Sequence, residues 1–104
     1  MQAADVLTTI AESLVATQKY KSLDEALCAL AIGEVDRKIA KYRRRISHLR
    51  KKYDMTFDEF TAHLRGKASI EQEDDWLEWE AAIDMLSDWE ATKKELLQNG
   101  QASC

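Results

Sequence analysis

Seven apolar residues place the tightest limit on what this chain can become. Ile32, Val35, Ile39, Tyr42, Ile46, Leu49 and Tyr53 follow one another at alternating spacings of three and four, and Cys28 extends the line upstream. That spacing keeps one narrow stripe on one side of a helix, the seam through which a helix packs lengthwise on another. It predicts a helix over 23–53, roughly 45 Å long at 1.5 Å per residue. A helix of that length needs a partner of similar length to cover its seam. Trp76, Trp79, Ile83 and Leu86 repeat the spacing downstream, with Leu77, Ala82, Trp89, Leu96 and Leu97 beside them, and predict a second long helix over 70–98. The downstream seam slips after Leu86, which widens the apolar face around Trp89.

Helix starts are marked by a hydroxyl residue with Glu or Gln three positions later, where each side chain can satisfy a free amide of the other. Ser22 with Glu25, Thr56 with Glu59 and Ser69 with Gln72 fit that pattern. Together with the stripe Ala3, Leu7, Ile10, Leu14 and Val15, they predict four helices, 3–19, 23–53, 57–65 and 70–98, in a single helical domain over 1–104. Residues 99–104 are expected to be a frayed tail. Proline is absent and the glycines number three, too few turn residues for a β-rich fold of 104 residues. The expected fold class is all-α: a long, coiled-coil-like antiparallel hairpin with a short N-terminal helix and a short connecting helix. A chain this small covers its remaining stripes most readily as a dimeric helical bundle.

Charge is segregated along the two long helices. Arg37, Lys38, Lys41, Arg43, Arg44, Arg45, Arg50, Lys51 and Lys52 account for nine of the 15 Lys and Arg residues. Glu71, Glu73, Asp74, Asp75, Glu78, Glu80, Asp84, Asp88, Glu90 and Glu95 account for ten of the 19 acids. An antiparallel hairpin brings the basic end of one helix beside the acidic start of the other, and both placements suit the helix macrodipoles. A parallel or slipped pairing would set like charges together. The basic run is therefore expected chiefly to hold register, with Arg43, Arg44, Arg45, Lys51 and Lys52 as the residues that would contact nucleic acid in the competing reading. The net charge of −4 weighs against that reading.

Few residues invite chemistry. His63 stands four residues after Glu59, and His48 lies among bases, but neither has the converging ligands a metal requires. The acids from Glu71 to Glu80 lack the Glu-x-x-His pattern of di-iron bundles. Phosphate loops, nucleophile elbows and dinucleotide fingerprints are missing. The chain is read as no enzyme, with no catalytic, cofactor-binding or metal residues. Cys28 and Cys104 lack metal spacing and read as a core thiol and an incidental terminal one. With an acid at residue 5 and no apolar leader pattern after it, that reading predicts a cytoplasmic protein with no membrane segment.

Residues 14–31, and above all Lys19-Tyr20-Lys21-Ser22-Leu23-Asp24-Glu25-Ala26-Leu27, resemble the junction between the two helices of ribbon-helix-helix antitoxins. There a helix ends near a Tyr, a Ser caps the next, and an acidic-Glu-Ala pattern follows. That family reads DNA with a strand ahead of its first helix, whereas residues 1–7 show no strand alternation. The stretches Arg37–Tyr42, Lys52–Phe60 and Asp74–Ala82 are similar to small helical proteins of archaea and bacteria, many of which look like the antitoxin half of a toxin–antitoxin pair. The resemblance implies a homodimeric, antitoxin-like module that neutralises a cognate toxin. Its rivals are a structural or adaptor coiled-coil protein and a DNA-binding repressor that uses the basic helix. Partner contacts are expected at Trp89, where the seam slips, and along Leu7, Ile10 and Leu14 of the unpaired first helix.

Overall fold

The computed structural model describes residues 3–17 and 19–99, and among these it is all-helical. The order is α1 (Ala3–Ala16), α2 (Leu23–Tyr53), α3 (Phe57–His63) and α4 (Ile70–Asn99). No strand occurs among the described residues, so the DNA-reading strand of the ribbon-helix-helix family has no counterpart in α1. From residue 100 onward the expected tail lies outside the described residues, and Asn99 closes α4.

The predicted helix starts are built as their sequences imply. Thr56 and Glu59 form a full capping box at α3, each side chain accepting from the other residue's backbone N–H. Ser69 and Gln72 do the same ahead of α4, at 3.0 and 3.2 Å. At α2 the Glu25 N–H donates to Ser22 Oγ at 3.1 Å. Two helices end earlier than their patterns suggest. α1 stops at Ala16 because the Thr17 hydroxyl and the Lys19 N–H both donate to the Leu14 carbonyl. α3 stops at His63, where the Arg65 and Lys67 amides turn back onto Ala62 and Leu64, before Gly66 at φ 71°.

Two compact units divide the chain, residues up to Arg37 with those from Ala91 onward, and Lys38–Glu90. In the second unit α2 and α4 pack antiparallel, and the cross-helix ion pairs run in opposite order along them. Arg43 meets Glu90 at 3.2 Å, Arg45 meets Glu78 at 3.2 Å, and Lys52 meets Glu71 and Asp75 at 2.8 and 2.7 Å. Seam residues Leu49 and Trp79 are buried with Phe60, and Ile46, Tyr53, Trp76 and Ile83 pack around them. The core is largely aromatic: Phe60 lies 4.1 Å from Tyr53 and 5.5 Å from Trp79 between ring centroids, and Phe57 touches both Trp76 and Trp79. Trp76 keeps its polar edge satisfied by donating from Nε1 to Thr61 Oγ1 at 2.8 Å.

In the first unit the small side chains Ala11 and Ala26 are fully buried, with Cys28 and Val35. Lys93 on α4 meets Asp36 on α2 at 2.7 Å. Cys28 is buried, as its seam position implies, but it is not a free thiol. It is disulfide-bonded, which corrects the expectation of a reduced core cysteine and removes the cysteine-based argument for a reducing compartment. The only other cysteine in the sequence, Cys104, lies outside the described residues. Gly33 sits mid-helix in α2, where glycine carries a backbone-entropy cost. A Cβ there would meet only the Arg37 guanidinium, at 3.9 Å. Gly33→Ala should therefore raise stability by about 0.5–1 kcal/mol, read as a higher urea midpoint at unchanged slope.

Candidate partner-binding surface

α1 carries the most concentrated exposed apolar surface in the first unit. Its stripe is arranged differently from what its period implies. The helix rests on Ala11, and Leu7 and Ile10 stay 48% and 44% exposed, joined by Val6. Leu14 is half-buried. An alanine at the contact lets the helix approach closely and leaves the longer side chains beside the contact rather than in it. Val6 and Leu7 then form one wall of an apolar groove of about 750 Å³. Leu27, Leu30 and Val35 of α2 and Leu96 of α4 line the rest, with Glu34 and Arg37 among its few polar members. Glu34 and Arg37 pair with each other at 2.7 Å, so the charged edge is locally neutral. A patch of this kind is suited to covering by another apolar surface, because removing apolar surface from water is favourable.

Of the residues expected at the surface, Leu7 lines the groove and Ile10 lies exposed on the same helix without lining it. Trp89 belongs to the second unit and is half-buried. Its Nε1–H is enclosed with no acceptor among the described residues. The sequence pattern did not single out Val6, Leu27 or Leu30. Leu27 and Leu30 are one turn apart on α2, outside its 3-4 seam, and only the placing of α1 turns them into groove walls.

The basic run separates into two sets. Arg43, Arg45 and Lys52 are spent on Glu90, Glu78 and the Glu71–Asp75 pair. Arg44 and Lys51 make no ion pair among the described residues and are exposed. With Lys41 and His48 they fall at spacings of three, four and three, on the side of α2 facing away from its seam.

The most constrained polar cluster joins the C-terminal end of α2 to the start of α4. Asp75, whose side chain is 14% exposed, accepts from Lys52 Nζ at 2.7 Å and from the Tyr53 hydroxyl. Lys52, first, and Tyr53 hold the Asp75 carboxyl below the usual carboxylate range. Tyr53 is pushed up to about 12, first by burial and then by its hydrogen bond to Asp75. Lys52 is raised by its bonds to Asp75 and Glu71. These groups face one another, so the cluster is a clamp between helices. Glu59 is likewise held low, by the Thr56 backbone N–H and then its hydroxyl, as a capping carboxylate should be.

No family model, curated protein or solved structure matches this chain. Among the described residues no helix is long and apolar enough to cross a membrane, and no three His, Cys, Asp or Glu side chains converge as a metal site would need.

Proposed function

We propose that this chain is a protein-binding module of the antitoxin kind, a cytoplasmic homodimer that neutralises a cognate toxin by covering part of its surface. The observation that carries the reading is the exposed apolar face of α1 beside the groove of the first unit. An exposed apolar face of that kind favours being covered by another apolar surface, and the resemblance of residues 14–31 to an antitoxin helix junction points to the class of partner. Cytoplasmic thiols are kept reduced, so the disulfide at Cys28 would then mark an oxidised form.

The test uses the gene encoded beside this one. Co-expression of the chain with the neighbouring product should rescue growth, and the two proteins should co-purify. Placing Asp at both Leu7 and Ile10 should abolish rescue and weaken binding at least about 100-fold, since each buried leucine-sized side chain contributes about 1.5–3 kcal/mol. Both positions are exposed, so the double variant should keep its helical circular dichroism. A wild-type chain that neither rescues nor co-purifies would sink the toxin reading.

A further inference from the structure

The second unit carries an apolar patch that the toxin reading does not use. Ile70 and Leu77 are the two most exposed large apolar side chains among the described residues, at 79% and 58%. They stand seven residues apart, so they lie on one side of α4, about 10 Å from each other along its axis. That side faces away from the Trp76–Trp79–Ile83 seam. Leu77 also forms the lip of a pocket of about 380 Å³ between α3 and α4, walled by Thr61, Leu64 and Trp76. The Trp76–Thr61 hydrogen bond fixes that wall.

The charge around the patch has one sign along α4. From Ala68 to Thr92 there is no Lys, Arg or His. Glu71, Asp75, Glu78 and Glu90 are occupied by the bases of α2. Glu73, Asp74, Glu80 and Asp84 make no ion pair among the described residues, and by helical period they flank Ile70 and Leu77. Arg65, two residues past the end of α3, also lines the pocket.

We propose that this face binds a basic amphipathic helix of a partner protein. The partner would set two apolar residues, one heptad apart, against Ile70 and Leu77, and Lys or Arg beside them against Glu73, Asp74, Glu80 and Asp84. A second copy of this chain is a poor occupant. Two α4 faces would bring like charges together, and no described helix offers two exposed large apolar residues a heptad apart between bases. The inference does not depend on the toxin reading, because the α1 surface belongs to the other unit.

The probe is a synthetic helical peptide of about 18 residues with Leu at heptad positions and Lys on either side, a length that spans several turns. It is titrated into the ¹⁵N-labelled full chain, beside a peptide of the same composition in shuffled order. Amide shifts should gather between Thr61 and Ala81. Leu77→Glu should weaken binding at least about tenfold, the effect of losing one good apolar contact. Glu73→Lys with Asp74→Lys should weaken it similarly and flatten its salt dependence, while the Asp substitutions at Leu7 and Ile10 should leave it unchanged. Equal binding of the shuffled peptide, unchanged affinity in Leu77→Glu, or shifts confined to α1 would each overturn the proposal. So would self-association of the free chain that Leu77→Glu abolishes, since a second copy would then be the occupant.

Discussion

Replacing Trp79 by alanine should cost about 3–5 kcal/mol, a large share of the roughly 5–15 kcal/mol that holds a domain of this size folded. Trp79 is fully buried beside Leu49 and Phe60, and its ring lies 5.5 and 5.6 Å from those of Phe60 and Phe57. Its neighbours come from two elements, Leu49 from α2 and Phe57 and Phe60 from α3, so no single side chain can move to fill the space. The loss combines the lost burial of an indole with a cavity that the two neighbouring aromatic rings cannot collapse into. Urea unfolding followed by circular dichroism reads the effect as a lower midpoint. Leu77→Ala on the same helix supplies the contrast, because an exposed side chain should change stability by no more than about 0.5 kcal/mol. Equal effects at the two positions would contradict the core described above.

Asp75→Ala should have the next largest effect, about 1–3 kcal/mol, the cost of leaving an enclosed polar group without its partner. The half-buried Tyr53 hydroxyl would lose its acceptor, whereas Lys52, which is more exposed and still bonded to Glu71, can turn to water. The pH dependence follows from the directions of the shifts. Asp75 is held below its unfolded value, so its contribution is complete above about pH 4 and is lost as pH falls further. Tyr53 and Lys52 are both raised, so their contributions are complete below about pH 10 and are lost as pH climbs past it, for Tyr53 through about 12. Thermal midpoints measured from pH 2 to 12 should fall at both ends in the wild type. In Asp75→Ala the acid limb should be shallower, because one depressed carboxylate is gone. The alkaline limb should keep part of its slope, since burial alone still raises Tyr53. An acid limb identical to that of the wild type would remove Asp75 from the account.

Much of this architecture was legible in the residues because it rests on local rules. The 3-4 period of Ile39, Tyr42, Ile46, Leu49 and Tyr53 needs nothing but helix geometry to place those side chains on one stripe. The hydroxyl–Glu or hydroxyl–Gln pairs at Thr56 and Ser69 are satisfied within four residues of chain. What depends on the rotation of one helix against another was less legible. Nothing in α1 distinguishes a helix that buries Leu7 and Ile10 from one that rests on Ala11, because both edges belong to the same broad apolar stripe. Ten acids in α4 look alike in sequence, yet Asp75 alone among them meets both Lys52 and Tyr53. Its phase on α4 brings it against the end of α2, and phase is a tertiary quantity. The same limit explains why the basic run read as one block, although helical rotation gives Arg43 and Arg45 to the acidic helix and leaves Arg44 to solvent. Trp89 was singled out for its position at the slip in the seam, which marks a wide apolar face but does not say how much of it is covered. The disulfide at Cys28 was not legible at all, since a cysteine on an apolar seam reads the same whether its sulfur is free or bonded.

The division of the chain into two units also implies an order of assembly during synthesis. Lys38–Glu90 is one uninterrupted stretch, whereas the other unit joins residues from both ends of the chain. The aromatic core of Leu49, Phe60 and Trp79 has every segment it needs once residue 90 has emerged, and its contacts span short loops that close at modest entropic cost. Residues 1–37 are made first but must wait for residues 91 onward before their own unit can close. For that interval the groove beside Val6 and Leu7 lacks its Leu96 wall, so the unit begun before the aromatic core closes after it.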